Sequence, residues 1–350
     1  MIDWGNLARR PCSWLAEESS AGVILSTRIR LARNLTGRFF PQHAPRNERR
    51  GLLQEILDKT QSLEMFEGGH RLALQALEPL QRQLLGERQL VSQELVESPE
   101  ERGVVVSGDE RLSFMINEED HVRMQAIRPG VDLDGAWRAV DALDDDFDGR
   151  LDFAFSSTLG FLTSCPTNVG TGMRASVQAH LPAVVLNKDL ERLIEDLRSK
   201  RLAIRGFYGE GSAAFGNFFQ VSNGTTLGVR EAEILERLDA AARELADWEE
   251  RARQALLSRA RSLLEDKVWR SFGILRHARV LGAPETLNHA SLLRLGVSLD
   301  FLKIPLRTLD EILLCAQPAH AQLLGGTDGG TEVDARRAAM VREKLQHVER

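Results

Sequence analysis

Lysine is nearly missing from the basic residues of this 350-residue chain: only Lys59, Lys188, Lys200, Lys267, Lys303 and Lys344 among 45. Such a bias can come from genome composition, so the placement of the arginines carries more information than their number. No run approaches the ~18 apolar residues of a membrane span, and the start, Met1-Ile2-Asp3-Trp4-Gly5-Asn6, lacks the basic and apolar regions of a signal peptide. The three cysteines, Cys12, Cys165 and Cys315, are widely spaced with no CxxC pair, which argues against a zinc site or disulfide framework and points to a reducing cytosol. The net charge of −6 argues against general nucleic-acid binding. No Gly-Lys pair occurs, which excludes a P-loop, and the HRD and DFG signatures of eukaryotic-type protein kinases are absent.

What is present is an ordinary globular composition, 43% hydrophobic and 27% charged, in a chain long enough for about two domains. Val23 to Leu31 alternates as a strand, with Ser26, Arg28 and Arg30 on one face and Thr27, Ile29 and Leu31 on the other. The spacing of Leu53, Ile56 and Leu57, then of Leu74, Leu77, Leu80 and Leu84, predicts helices over 47–66 and 70–85. A hairpin is expected from Val104-Val105-Val106 through Ser107-Gly108-Asp109-Glu110 to Leu112–Ile116. Extending its second strand to residue 125 places Glu119, His121, Arg123 and Gln125 on one face.

Strands are further expected over 150–155, 173–181, 202–205 and 217–222, with Arg174, Ser176, Gln178 and His180 sharing a face, and helices over 132–144 and 187–199. This is an α+β pattern with a largely antiparallel sheet. From Glu231 onward the pattern is helical, so a catalytic domain over 1–254 and a helical domain over 255–350 are expected, one long helix belonging to both. Thr308-Leu309-Asp310-Glu311 has capping-box form, and Leu323-Leu324-Gly325-Gly326 reads as a helix end. Asp144-Asp145-Asp146-Phe147-Asp148-Gly149 opens like a calcium loop, but its twelfth position is Phe155, so it reads as a solvated acidic turn.

Taken singly, Arg28, Arg30, Arg123, Arg174 and Arg205 read as surface charges, Glu119 and Glu210 as exposed carboxylates, and Cys165 as a small buried residue. Together they suggest a phosphate clamp facing a cation, because planar guanidinium groups donate paired hydrogen bonds to phosphate oxygens. Glu210 lies in a stretch rich in small residues, Gly206 through Gly216, of the kind that bends around a ligand.

At these residues the sequence resembles the phosphagen (guanidino) kinase family: Ser26-Thr27-Arg28-Ile29-Arg30, Asn117-Glu118-Glu119-Asp120-His121, Cys165 through Ser176, and Arg205-Gly206-Phe207-Tyr208-Gly209-Glu210. The resemblance implies an antiparallel-sheet kinase fold similar to that of glutamine synthetase, and ATP with Mg²⁺ held by the five arginines. Ser26, Thr27, Ile29, Ala175, Ser176, Val177, Gln178, Gly206, Phe207, Tyr208 and Gly209 would line the same nucleotide site. It implies Glu119 and Glu210 on the acceptor guanidinium, Glu210 being the first choice for the base, and a Cys165 thiolate beside them acting electrostatically.

Only 25 residues precede Ser26, where kinases acting on free arginine or creatine carry a helical domain, so an open acceptor site is expected, able to admit an arginine on a protein. The branch most similar phosphorylates protein arginines and has a C-terminal helical domain implicated in dimer formation and phosphoarginine sensing. There Val333-Asp334-Ala335-Arg336-Arg337-Ala338 aligns with an RDxxRA motif, Val333 replacing the first arginine, so that Asp334, Arg337 and Ala338 are the expected pocket. Gln89 stands where the family tends to place a nucleotide-contacting histidine. The resemblance implies a cytoplasmic stress role, with a McsA-type activator, a Clp-type protease and a CtsR-type repressor as partners. The competing readings are a small-molecule guanidino kinase and a non-catalytic phosphoarginine-binding adaptor.

Overall fold

The computed structural model describes residues 2–15, 22–206, 215–325, 330–346 and 348. Its strands are β1 (Ile24–Arg33), β2 (His70–Ala73), β3 (Gly103–Val106), β4 (Leu112–Ile116), β5 (Val122–Pro129), β6 (Phe155–Ser156), β7 (Gly160–Phe161), β8 (Met173–His180), β9 (Leu202–Gly206) and β10 (Phe218–Asn223). Eight of them form one sheet in the order β2-β3-β4-β5-β1-β8-β10-β9, every neighbouring pair antiparallel, while β6 and β7 make a separate small hairpin. The helices are α1 (Trp4–Arg9), α2 (Arg46–Lys59), α3 (Pro79–Glu87), α4 (Gln93–Glu97), α5 (Leu133–Asp148), α6 (Pro182–Leu186), α7 (Leu190–Ser199), α8 (Glu231–His277), α9 (Ala283–Ser298), α10 (Leu306–Ala316), α11 (Pro318–Gly325) and α12 (Thr331–Leu345).

The period-2 alternation of the strands separates two chemistries. Ile29, Leu31, Met124, Met173, Ala175, Val177 and Val221 are buried on one face, in a core shared with Val140 and Leu143 of α5, Leu193 of α7 and Leu238 of α8. On the other face the register aligns Arg30 with both Gln125 and Arg174, Arg28 with Ser176, Ser176 with Ser222, and Gln220 with Gln178 and Arg205. At one end of that polar face Ile127 and Phe218 instead pack into a second core with Phe272, Leu287 and Ala290 of the C-terminal helices. His180 stacks on Phe218 with ring centroids 4.7 Å apart and hydrogen-bonds Ser291 Oγ at 2.8 Å, so the helical part covers this end.

α8 runs for 47 residues but breaks its helical geometry at Ala260 (φ −150°, ψ 36°). Before the break it lies on the sheet's apolar face, where buried Glu249 accepts hydrogen bonds from Ala183 N and Val184 N at the start of α6 and pairs with Arg253 at 3.0 Å. After the break, Val268, Phe272 and Leu275 join the second core.

Several local expectations are corrected. Residues 70–73 pair with β3 rather than beginning a helix; Gly69 lets the chain come so close that an added Cβ would lie 2.1 Å from Val106 O, and Pro79 starts the helix that follows. The helix expected over 47–66 stops at Lys59. The strand after Ile116 does not continue: Asn117 takes a left-handed φ of 56°, its N–H bonds His121 O, and residues 117–121 become the turn between β4 and β5. Of the extended run 150–155 only Phe155 enters a strand, with one bridge from Leu35 to Phe153. The acidic residues 144–148 are the last turns of α5, where Asp144 pairs with buried Arg33 at 2.5 Å, and Thr308 lies inside α10, whose N-cap is Pro305.

Candidate active site

Arg28, Arg30, Arg123, Arg174 and Arg205 come from four strands, β1, β5, β8 and β9, and share the polar face of the sheet. Burial, and then Arg123, push Arg28 down to about 10; burial followed by Arg28, Arg123 and Arg174 push Arg30 well below the ordinary arginine range. Among the described residues the buried Nε atoms of both Arg28 and Arg30 lack a hydrogen-bond partner. A packed set of cations with unused donors is costly by itself and becomes favourable when a polyanion arrives.

Arg123 is neutralised from within the protein. Arg123 Nη1 donates to Glu118 Oε2 at 2.6 Å, and Glu118 also accepts from Glu119 N at 3.0 Å. Burial alone would raise the Glu118 carboxyl, but the charge of Arg123 and the hydrogen bonds overcome it and hold it at about 2. Arg174 Nη1 donates to Ser222 Oγ and Asn223 O, both at 3.3 Å, which fixes its guanidinium between β8 and β10.

Glu119 sits in the 117–121 turn, partly exposed, and its carboxyl is raised chiefly by burial and further by Asp120 and Glu118. The side chain of Cys165 lies beside it and lowers it in part, and Cys165 Sγ meets Thr167 Oγ1 at 3.0 Å. The two loops are tied by Asp120, whose Oδ1 accepts from Asn34 Nδ2 at 2.6 Å and from Ser164 N at 2.7 Å. Beyond Cys165 the glycines serve close packing: Gly170 (φ 113°) would place a Cβ 2.2 Å from Thr226 O, and Gly172 (φ 64°) 2.6 Å from Ala32 O.

Ser26, Ser176 and Gln178 are buried on the arginine face, whereas Thr27, Ile29, Ala175 and Val177 point into the packing on the other side. Thr27 Oγ1 donates to Gly130 O at 2.8 Å. Gly206 ends β9; Phe207, Tyr208, Gly209 and Glu210 lie outside the described residues. Gln89, at φ 62°, accepts from Gln125 Nε2 at 2.7 Å through its carbonyl, which brings its backbone to the arginine face. Far from this face, Arg337 is buried in α12, donating to Ala316 O at 3.1 Å and Leu281 O at 2.7 Å and pairing with Asp334, with Ala338 buried beside it. Sequence pattern did not single out Glu118 or Asp120, although both stand in the quoted turn motif, and it offered no signal for Asn34.

Residues 52–252 match the model of the ATP:guanido phosphotransferase C-terminal catalytic domain. The chain belongs to that family. Residues 261–350 match the protein-arginine kinase McsB C-terminal domain, so the break at Ala260 falls between the two matched segments. A protein-arginine kinase of Symbiobacterium thermophilum is 42% identical over 351 residues, spanning 98% of this chain and 99% of its own. That of Bacillus subtilis is 40% identical over 342 residues, 96% of this chain and 94% of its own. These matches place the chain in the protein-arginine kinase branch of the ATP:guanido phosphotransferases. Among solved structures, a lombricine kinase aligns with a TM-score of 0.57 and 25% identity, over 69% of this chain and 70% of that one. The guanidino-kinase fold expected from the motifs is therefore present. Among the described residues no helix is long and apolar enough to cross a membrane.

Proposed function

We propose that the chain transfers the γ-phosphoryl group of ATP to the guanidinium of arginine side chains in proteins, using the arginine face for the nucleotide and the corner between Glu119 and Cys165 for the acceptor. The observation that carries this reading is the placement of five arginines on one sheet face, with buried Nε donors on Arg28 and Arg30 that have no partner among the described residues, beside a turn that presents a raised carboxylate. ATP fits because its phosphate oxygens supply acceptors and negative charge to a set of cations that otherwise repel one another. Mg²⁺, arriving with the nucleotide, would be held by phosphate oxygens and water and would help neutralise the transferring group.

The acceptor guanidinium has a pKa above about 12 and enters protonated, so it must be oriented and lose a proton as the N–P bond forms and the bond from phosphorus to the β,γ-bridging oxygen breaks. Glu119 is raised by burial and by its acidic neighbours, which makes it a better proton acceptor than an exposed carboxylate. Glu210 shares this role in the proposal and is its first choice for the base, while Cys165 holds the guanidinium electrostatically. Arg28, Arg30, Arg123, Arg174 and Arg205 stabilise the charge of the transferring phosphoryl group.

Residues 1–254 form the catalytic part and 255–350 the helical part in this reading, and two copies pair through the latter. The chain acts in the cytoplasm with a McsA-type activator, marking proteins for a Clp-type protease and modulating a CtsR-type repressor. Phosphoarginine sensed at Asp334, Arg337 and Ala338 would have to compete with the carbonyls of Leu281 and Ala316 for Arg337. Incubation with labelled ATP and either free arginine or a partly unfolded protein tests the central claim. Acid-labile label on arginine side chains supports it; label on free arginine alone favours a small-molecule kinase, and no transfer at all favours an adaptor.

A further inference from the structure

Eight large apolar side chains are exposed among the described residues, and four of them, Phe39, Phe155, Leu159 and Leu227, lie on the segments around the Cys165 loop. Their exposures are 66%, 61%, 46% and 49%. The segments that carry them are tied to the 117–121 turn or to the Cys165 loop. Phe39 O meets His121 Nε2 at 2.8 Å, two residues from Glu119. Phe155 pairs with Phe161, with rings 5.2 Å apart, and Phe161 leads directly into the loop; Leu159 is on the tip of the same hairpin. Leu227 follows Thr226, whose Oγ1 donates to Thr167 O at 2.9 Å and Val169 O at 2.7 Å.

We propose that these side chains form an apolar ledge that docks an apolar residue of an extended substrate polypeptide, one neighbouring the arginine to be phosphorylated. The inference rests on the reading that the acceptor guanidinium binds at Glu119. Leu159, Phe161 and Leu227 meet around Gly170, since an added Cβ on Gly160 would lie 2.4 Å from Gly170 O and one on Gly170 2.8 Å from Leu227 Cα, so the ledge flanks the Cys165 loop and residues beside a protein-borne arginine would pass over it. In an extended chain, residues two apart project from the same side about 7 Å from each other, which lets one enter beside Glu119 while the next rests on the ledge. The ledge is uncharged where it carries Phe155, Ser156, Ser157, Thr158 and Leu159, so the carboxylates select the arginine and the ledge selects its apolar neighbour. In a folded protein the backbone on either side of an arginine is committed to its own hydrogen bonds and does not lie extended across a second surface, so the fitting occupant is an unfolded segment.

The test uses the full chain, MgATP and two synthetic peptides with one arginine each, differing only in Leu or Ser two positions from it, with phosphoarginine quantified by mass spectrometry. The expected ratio of kcat/KM, Leu over Ser, is roughly ten, carried by KM, the size of effect one apolar contact gives in a binding site. In a Phe155→Ser/Leu159→Ser/Leu227→Ser variant the ratio falls to about one; comparing two peptides on the same variant cancels any loss of folded protein. Equal values in the unmodified chain, or a preference that survives in the variant, overturn the proposal. A changed oligomeric state in the variant by light scattering also overturns it, since the ledge would then be a contact between copies. Glu119→Gln separates the two claims: full transfer by that variant sinks the acceptor reading, whereas loss of transfer there with no flank preference in the unmodified chain sinks the ledge alone.

Discussion

Arg30 and Arg174 stand directly opposite one another on β1 and β8, two like charges at a cross-strand position where sheets ordinarily place complementary pairs. Arg28 and Arg123 add to the repulsion on Arg30. The sheet tolerates this because Ile29, Leu31, Met173 and Ala175 on its other face are buried in the main core, which holds the register whatever the arginines do.

Removing one cation should therefore stabilise the free protein and impair it as an enzyme. Arg30→Met is expected to raise unfolding free energy by about 0.5–2 kcal/mol in the absence of nucleotide, as relief at strained functional sites commonly does. The same variant should lose most of the thermal stabilisation that ATP gives the unmodified chain. Denaturant titration and thermal melts with and without ATP check both halves.

Glu119→Gln keeps the size and hydrogen-bonding shape of the side chain but cannot take a proton. Transfer to protein arginine is expected to fall by about 10²–10⁴-fold with ATP affinity changed little. Because the Glu119 carboxyl is raised, kcat/KM of the unmodified chain should decline on the acid side at a pH above the ordinary carboxylate range. Phosphoarginine yield across pH and a nucleotide titration provide the readouts.

Glu118 titrates at about 2 when folded, below its ordinary value of 4.5. A depressed carboxylate contributes stability that is present above the unfolded value and lost as pH falls through the folded one, so its contribution of about 3 kcal/mol should disappear between about pH 4.5 and 2. Glu118→Gln should be less stable than the unmodified chain at pH 7, with the gap closing as the pH approaches 2. Urea denaturation at a series of pH values measures that gap.

Glu249→Ala takes away the acceptor at the start of α6 and leaves Arg253, itself buried, without its ion-pair partner. Breaking one side of a buried pair typically costs about 3–5 kcal/mol. A loss of that size in chemical denaturation is expected; a loss below about 1 kcal/mol would show that water or a shifted Arg253 replaces the bond.

Much of this was legible in the residues because strand alternation is a local property. Arg28 and Arg30 share a face by sequence parity alone, as do Arg174, Ser176 and Gln178, and the long helical run after Glu231 is equally plain from its spacing. The motif around residues 117–121 named Glu119 but could not show where the strand ended, because a left-handed Asn117 depends on its side chain reaching Arg49 O and Glu101 O, which are distant in sequence. The start of the helix expected over 70–85 failed for a similar reason: pairing of residues 70–73 with β3 outweighed the local leucine spacing.

The sequence by itself determined the family, the two-faced chemistry of each strand and the identities of the five arginines, since these follow from residue type and period. Only the tertiary structure decided that four separate strands bring those arginines to one surface, that Glu118 is the counter-ion of Arg123, and that Asp120 ties the Glu119 turn to the Cys165 loop. Strand register joins residues as distant as Ile24 and Ala179, and no local pattern in a chain encodes which of its strands will lie side by side.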